Sequence, residues 1–491
     1  MAETSNVRNV LTQIISRFPM VDRPGVHIHF KTKLAWTLGI LVLFFALGNV
    51  PLFGLSPASL DAFGAWRAIF AGERFSLTAL GIMPIVDASI VLQLLVGSGI
   101  LRLNLSDPRD QVTYQNLQKT LVIVFSVFIS VTFVVGFYEP DPAIASSLGV
   151  SLKAISIMLF IQLFIGGMLI YFMDEVVSKW GIGSGVSLFI LAGVSQQVIT
   201  GLISWIRPEG GYAVGVIPEW IQILWPGSPL HVEAAEILQG GLTFLFEHHM
   251  IALIATVIVF LIVVYLESTR LEIPLAHSVA RGARGKFPIK LLYASVLPMI
   301  LVRAMQMTIQ MFGKLLYSKG ITIFGTYDVQ GNAASGLMFY LNPIYSPWDW
   351  WPAFVSPDIA GWQTAIRIGI DLSIMVIGGA AFALFWINTT GMGPKDVAGQ
   401  IHRSGLQIPG HRRSTATIER LMQGYIPKIA LMGGAILGVL CVGSNMFGTL
   451  GQASGTGLLL AVSIAYRLYE DVASEQMMEM FPAMRRFFGG G

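Results

Sequence analysis

The sequence has few charged residues and almost no cysteine. Charged side chains make up 12% of the 491 residues, against about a quarter in soluble domains. Hydrophobic residues make up 54%, so most of the surface must face lipid rather than water. The single cysteine, Cys441, lies in an apolar stretch. One cysteine excludes a disulfide within the chain, a four-cysteine zinc site and an iron–sulfur cluster.

Motifs that carry catalytic chemistry are also missing. None of the eight histidines pairs at i, i+4 spacing with a carboxylate inside an apolar stretch, which argues against a metal site. The chain has no phosphate-binding loop and no nucleophile elbow. The segment "GIGSG" (181–185) resembles an anion-cradling turn before a helix, but a tight turn between two spans explains it equally well and is favoured. We expect no cofactor, no metal and no enzyme activity.

Long apolar stretches are abundant, and ten of them reach the roughly 17–25 residues that a membrane-spanning helix requires. Glycine is frequent, with 52 residues, and glycine lets neighbouring helices in a membrane approach closely. The composition therefore predicts an all-α polytopic membrane protein. The ten stretches lie near residues 34–53, 77–100, 120–138, 154–173, 186–206, 250–266, 289–312, 364–387, 428–447 and 454–470.

The distribution of basic residues predicts the orientation. With the N-terminus inside, most of the 31 lysines and arginines fall in cytoplasmic segments, as the positive-inside rule requires. Both termini are then cytoplasmic, and an amphipathic pattern in residues 1–30 predicts a helix at the cytoplasmic interface. Two long external connections, 207–249 and 313–363, are rich in Trp, Tyr, Pro and Gly, which suits loops folded onto the membrane interface.

Away from the ends of the apolar stretches the charged residues are few: Asp87, Arg303 and Asp371, with Arg367 near an outer end. Ionisable residues at membrane depth often form the binding site of an ion-coupled secondary transporter. That function remains an alternative at this point. Pro84 lies three residues before Asp87 and would remove a helix hydrogen bond within the second stretch.

Four long motifs resemble the SecY protein-conducting channel, in its archaeal branch, whose eukaryotic counterpart is the α subunit of the endoplasmic-reticulum translocon. The resemblance covers about residues 30–470, with the ten spans in the family's order. The motifs are "GIMPIVDASIVLQLLVGSGI", "DEVVSKWGIGSGVSLFILAGVSQ", "ESTRLEIPLAH…GKFPIKLLYASVLPMIL" and "GTGLLLAVSIAYRLYED".

The resemblance implies ten transmembrane helices in two inverted-repeat halves around a central pore. The N-terminal half would cover 31–206 and include a plug at 59–74. The C-terminal half would cover 250–470, with cytoplasmic loops at 267–290 and 388–427, and residues 471–491 would form a cytoplasmic tail. The chain would pass secretory polypeptides across the cell membrane and release transmembrane segments through a lateral gate.

Motif-by-motif matching assigns site residues. A ring of aliphatic side chains would seal the pore, a plug helix would block it, and the gate would run beside the second span. Asp87 would lie at this gate, with Arg303 as a compensating partner or with a water-filled vestibule satisfying it. The ring is Ile82, Val86, Val186, Ile190, Ile300 and Leu460; the plug residues are Phe63, Trp66, Ile69 and Phe70; the gate residues are Pro84, Asp87 and Thr308.

The resemblance also implies partners. The two basic cytoplasmic loops would contact ribosomal RNA phosphates through Arg281, Arg284, Lys286, Arg412 and Arg413. A SecE (γ-type) subunit, a small β subunit, a signal-recognition-particle receptor, the nascent polypeptide and membrane lipid would complete the set.

Overall fold

A computed structural model describes most of the chain between residues 21 and 480. The gaps are 23, 26–27, 58, 60–66, 98, 102, 104–107, 209–210, 278–283, 295, 329–332, 356–360, 404–405, 408–413 and 452. The helix predicted within residues 1–30 lies largely outside the described residues.

Ten helices of the described chain have 15 residues or more, which confirms the predicted ten-helix fold. Seven of them are long and apolar enough to cross a membrane. Of the other three, Met83–Gly97 is shorter, and Leu297–Ser318 and Gly455–Met480 are less apolar. The ten are α1 (Phe30–Gly48), α3 (Met83–Gly97), α4 (Pro108–Gly136), α6 (Leu152–Trp180), α7 (Gly185–Ile203), α10 (Met250–Ser268), α11 (Leu297–Ser318), α14 (Gly361–Thr389), α16 (Thr415–Phe447) and α17 (Gly455–Met480).

Shorter elements fill the connections. One three-stranded antiparallel sheet joins the connection after α10 to the one before α16. Its central strand is β1 (Arg270–His277), which pairs with β2 (Arg284–Lys290) on one side and with β3 (Leu406–Gln407) on the other. These elements are α2 (Arg67–Phe70), α5 (Pro142–Leu148), α8 (Val216–Leu224), α9 (Ala234–Glu247), β1 (Arg270–His277), β2 (Arg284–Lys290), α12 (Gly336–Leu341), a 3₁₀ turn (Pro347–Asp349), α13 (Trp351–Val355), α15 (Pro394–Arg403) and β3 (Leu406–Gln407).

The long helices form two groups of five. In the first group α6 packs against α1, α4 and α7, and α3 packs against α4. In the second group α16 packs against α10, α11, α14 and α17. The groups meet along two seams: α3 contacts α11 and α14 on one side, and α7 contacts α17 on the other. A space bounded by both groups therefore lies between the seams.

Several helix boundaries differ from the sequence-based expectation, among them the start of the second span and the end of the last. The helix of the second span begins at Met83 rather than near 77, so Pro84 lies in its first turn. The first amides of a helix have no intrahelical partner, so proline costs nothing there. Pro84 therefore begins the helix and does not interrupt it. At the C-terminus, α17 continues to Met480, ten residues into the segment expected to be a tail.

Glycines bring α14 and α16 into backbone contact. A Cβ placed on Gly434 would lie 2.5 Å from the carbonyl oxygen of Gly379, and one on Gly438 would lie 2.5 Å from that of Met375. Small residues at facing positions allow this approach, which replaces the hydrophobic effect as the source of helix association in lipid. The second group is thereby a closely packed unit.

Candidate pore and lateral gate

The six residues of the predicted ring lie in one apolar cluster contributed by both helix groups. Five of them are buried, and Val186 is half-buried against the same cluster. Ile82 directly precedes α3, and its carbonyl accepts a hydrogen bond from the amide of Val86 (3.1 Å), which holds the two side chains on one turn. Ile82 and Leu460, 378 positions apart in the chain, thus belong to the same apolar cluster, which holds most of the buried core.

The described part of the predicted plug lies directly against the first ring residue. Ile69 and Phe70 are fully buried, and α2 contacts α7 and α17. The amide of Ile82 donates to the carbonyl of Phe70 (2.8 Å). Gly81 (φ +54°) makes this approach possible, since a Cβ there would lie 2.0 Å from the same oxygen. Phe63 and Trp66, the other two predicted plug residues, lie outside the described residues.

A cavity of about 540 Å³ lies against the predicted ring. Val86, Val186 and Ile300 form part of its wall. Its polar side chains come from six different helices, from the turn before α7 and from the residue after α14: Ser89, Gln93, Tyr114, Gln118, Asp174, Ser184, Ser187, Thr389, Thr390, Arg467 and Asp471. This cavity, the vestibule, has polar and apolar side chains in its wall and adjoins three of the six predicted ring residues.

The "GIGSG" turn at the vestibule is structural. It connects α6 to α7, and Asp174 Oδ1 accepts from the amide of Val186 (2.9 Å), which caps the start of α7. A Cβ on Gly185 would lie 2.5 Å from the Cα of Asp174. The turn therefore orients Val186 of the ring and binds no anion of its own in this arrangement, because a carboxylate occupies the helix N-terminus.

The seam between α3 and α11 is closed. Asp87 of α3 is buried beside Thr308 on α11, whose hydroxyl is shared between the Asp87 side chain and the carbonyl of Ala304 (3.0 Å). The rings of Phe128 on α4 and Phe312 on α11 lie 5.6 Å apart. Both predicted gate residues that carry polar side chains thus meet each other across the seam.

The expected pairing of Asp87 with Arg303 is wrong. Arg303 Nη1 lies 2.7 Å from Asp371 Oδ1, and both side chains are fully buried between α11 and α14. Gln306 Nε2 donates to the same carboxylate (3.1 Å), and so does the amide of Ile344 (3.3 Å) in the connection between the two helices. Helix rotation directs Arg303 away from α3, so it cannot reach Asp87.

The two loops predicted to dock a ribosome share the three-stranded sheet. Lys286 pairs with Pro274 and Arg284 with Ala276 in the β1–β2 ladder, while Arg281, Arg412 and Arg413 lie outside the described residues. The sheet is anchored to α17, where Glu470 accepts from Arg270 Nη2 (3.2 Å) and from Lys290 Nζ. Sequence reasoning missed the sheet, although Leu271, Ile273 and Leu275 alternate with the period of a strand.

Comparison with known proteins identifies the family. Residues 76–469 match the SecY family, and residues 42–74 match the plug domain of Sec61p. The chain belongs to the SecY family. It is 51% identical to the protein translocase subunit SecY of Archaeoglobus fulgidus over 500 aligned positions, which cover 99% of each chain. The resemblance inferred from the motifs is confirmed.

Solved structures of SecY-type channels have the same fold. A structure described as a protein-conducting channel superposes with a TM-score of 0.78 at 36% identity, covering 96% of this chain and 99% of the other. Sec61 in the canine ribosome–channel complex from the endoplasmic reticulum superposes with a TM-score of 0.74 at 35% identity, covering 96% and 99%. The match to the plug domain overlaps the segment predicted as the plug, 59–74.

Proposed function

We propose that this chain is the pore-forming subunit of a protein translocation channel. It passes unfolded polypeptides through the ring and releases apolar segments sideways between α3 and α11. The observation that supports this most directly is the proximity of three features: the vestibule, the apolar cluster that holds the six predicted ring residues, and the buried helix α2, whose Phe70 carbonyl accepts from the amide of Ile82. A channel of this kind does no covalent chemistry, in agreement with the absence of catalytic motifs in the sequence.

Aliphatic side chains suit the ring for two reasons. They contact any polypeptide equally, because they make no directional bonds, and in the absence of a chain they exclude water and ions from the constriction. Phe70 and Ile69 of the plug close the path on the far side. Opening the pore then requires the Phe70–Ile82 hydrogen bond to break and α2 to leave.

A photocrosslinking experiment tests the path. A benzoylphenylalanine replaces Ile190 in the ring, and in a matched variant it replaces Ile258, an exposed residue of α10 that faces away from both groups. With a secretory polypeptide stalled during translocation, we expect crosslinks from position 190 and none from position 258. Equal crosslinking from both, or none from 190, would contradict the proposed path.

The basic loops and the orientation are the basis for the proposed location and partners. We place both termini in the cytoplasm and the chain in the cell membrane, because basic residues concentrate in the segments that this orientation puts inside. The Sec61 relative was solved in a ribosome–channel complex, so a ribosome is the expected donor of nascent polypeptide. A SecE (γ-type) subunit, a small β subunit and a signal-recognition-particle receptor are the other proposed partners.

Docking through the loops is testable by salt dependence. Phosphate contacts make binding weaken with salt by a slope of roughly 0.7–0.9 per neutralised phosphate. Arg412→Glu should therefore weaken ribosome binding and flatten its salt dependence by about one contact. The measurement is co-sedimentation of the detergent-solubilised complex with ribosomes across a salt series, with Arg207→Glu in the external connection as the control. Identical binding of wild type and Arg412→Glu at every salt concentration would remove the loop from the interface.

No observation favours an ion-coupled transporter. Two of its three candidate residues, Arg303 and Asp371, neutralise each other (2.7 Å), and Asp87 bonds Thr308. None of the three is among the described residues that line the vestibule. The relatives compared above are channels and translocase subunits.

A further inference from the structure

In the external connection between α7 and α10, the helix α8 has its polar side chains buried and an apolar face exposed. One face of α8 is buried and carries both of its hydrophilic side chains, Glu219 and Gln222. The opposite face is apolar and exposed: Ile217 and Ile221 are each 44% exposed and Leu224 is 59% exposed. A helix on a water-facing surface has the reverse pattern. The exposed face of α8 is therefore built for an apolar environment.

Buried hydrogen bonds fix α8 in this orientation. Glu219 lies 2.9 Å from Nδ1 of His248 and 3.4 Å from Nδ1 of His249, at the junction with α10. The indole of Trp220 donates to the carbonyl of His248 (2.8 Å), and Gln222 accepts from the amide of Ala213 (3.1 Å). Rotating α8 to expose its polar face would break all of these bonds. Its outward apolar face is thus a fixed feature of the fold.

The depth of α8 follows from its attachment to two spanning helices. The amide of Gly215 donates to the carbonyl of Ser204 (2.9 Å), directly after the end of α7. A Cβ on Gly215 would lie 2.4 Å from the Ser204 amide nitrogen, so only glycine permits so close a return. The exposed face of α8 meets Met250 and Leu253 in the first turn of α10. Both attachments hold α8 at the level where the spanning helices reach the membrane boundary.

Between α8 and α10 lies a groove of about 410 Å³. Its lining consists only of apolar and aromatic side chains: Val216, Ile217, Trp220, Ile221, Leu224, Trp225, Met250 and Leu253. Over the next two turns of α10 the exposed side chains include Ile254, Val257, Ile258 and Leu261. The groove is therefore continuous with the lipid-facing side of a spanning helix. A protein partner would be expected to meet polar groups at the rim, whereas an acyl chain needs none.

We infer that α8 lies in the membrane interface at the face where α7 ends, and that the groove between α8 and α10 holds a lipid acyl chain. Amphipathic helices in this position bury their apolar face in the boundary between headgroups and acyl chains. Trp225, 65% exposed at the end of the helix, belongs to the residue type that anchors such segments. The inference holds whichever compartment that face meets and does not depend on the channel function.

Spin labelling of the purified complex in phosphatidylcholine–phosphatidylglycerol vesicles tests the position of α8. Cys441 is buried, so a label attaches to an introduced cysteine: Ile221→Cys or Leu224→Cys on the exposed face, and Glu233→Cys, exposed in the same connection, as the control. We expect labels at 221 and 224 to collide severalfold more often with oxygen, which partitions into lipid, than with a water-soluble nickel chelate. The label at 233 should show the opposite preference.

Two results would overturn the inference. A preference for the nickel chelate at 221 and 224, as at 233, would place the face in water. Low collision with both reagents would mean that a protein subunit covers the groove. As a second measurement, phosphatidylcholine with a photoreactive diazirine in its acyl chain should label peptides containing α8 and Met250–Leu253 and spare the segment around Glu233. Ile221→Glu should abolish labelling of α8; unchanged labelling would show that the groove does not hold the chain.

Discussion

Two buried aspartates in the same helical bundle, Asp371 and Asp87, differ in the number of hydrogen bonds that their side chains accept. Asp371 on α14 receives an arginine, a glutamine side chain and a backbone amide. Asp87 on α3 is almost as inaccessible, and the hydrogen bond that the structure records for its side chain comes from the hydroxyl of Thr308, which also donates to the carbonyl of Ala304 (3.0 Å). The first acid lies between two helices of the same group, and the second lies on the seam between the two groups.

We relate this difference to the proposed gate. Its opening would keep the contacts within a helix group and break those across the seam. Charge pairs with many hydrogen bonds are costly to separate in a low-dielectric interior, so the Arg303–Asp371 pair fixes α11 to α14 and to the connection at Ile344. One hydroxyl–carboxyl bond is cheap to exchange for water. In the proposed function, the lateral seam would therefore open while α11 and α14 move as one body. The following predictions test this division, beginning with the largest effect.

Asp371→Leu should destabilise the protein by about 3–5 kcal/mol, because it leaves the Arg303 guanidinium buried without its counter-charge. The measurement is thermal denaturation of the detergent-solubilised complex, followed by loss of a monodisperse chromatographic peak. The double variant Arg303→Met, Asp371→Leu removes both charges and should recover most of the loss. If the single and double variants denature alike, the pair does not act as a unit and the comparison with Asp87 fails.

The sequence was sufficient for the number of spans and their order, because hydropathy depends only on local composition. Hydropathy misplaced helix ends where apolar residues lie outside the helix. Residues 77–82 are apolar enough to extend the second span, yet they form turns before α3. It also ended the last span at 470, although α17 continues through a polar, helix-favouring segment to Met480.

The partner of Arg303 could not be predicted, for a physical reason. Asp371 is 68 positions away in the chain, and the pairing depends on the rotation of two helices about their axes, which no local pattern specifies. The same limit applies to Thr308 and Asp87, which family resemblance placed at the gate without placing them in contact. Burial of the ring, by contrast, follows from any arrangement that puts aliphatic faces of four helices together.

Replacing ring side chains should open the seal without unfolding the bundle. Ile82→Ser, Val86→Ser and Ile190→Ser together remove the apolar surface that excludes water from the constriction. We expect the resting channel in a planar bilayer to conduct ions severalfold more than wild type. A matched triple variant on the lipid-facing side of α10, with Ile254→Ser, Ile258→Ser and Leu261→Ser, should leave the resting conductance unchanged. Equal conductance of both triple variants would mean that the six residues do not form the seal.

The smallest expected effect concerns Asp87, on the seam between the two helix groups. Thr308→Val removes the hydroxyl but keeps the shape of the side chain, so Asp87 loses its partner in the closed seam. A hydrogen bond of this kind contributes about 1 kcal/mol, which corresponds to roughly a fivefold shift toward the open gate. Export of a substrate with a defective signal sequence should rise by about that factor in reconstituted vesicles. Thr308→Ser keeps the hydroxyl and should behave as wild type. The free energy of unfolding of the Thr308→Val complex should also lie within about 1 kcal/mol of the wild-type value, unlike that of the Asp371→Leu complex. If Thr308→Val and Thr308→Ser export the defective substrate equally, the Asp87 contact does not hold the gate, and the two carboxylates are both merely structural.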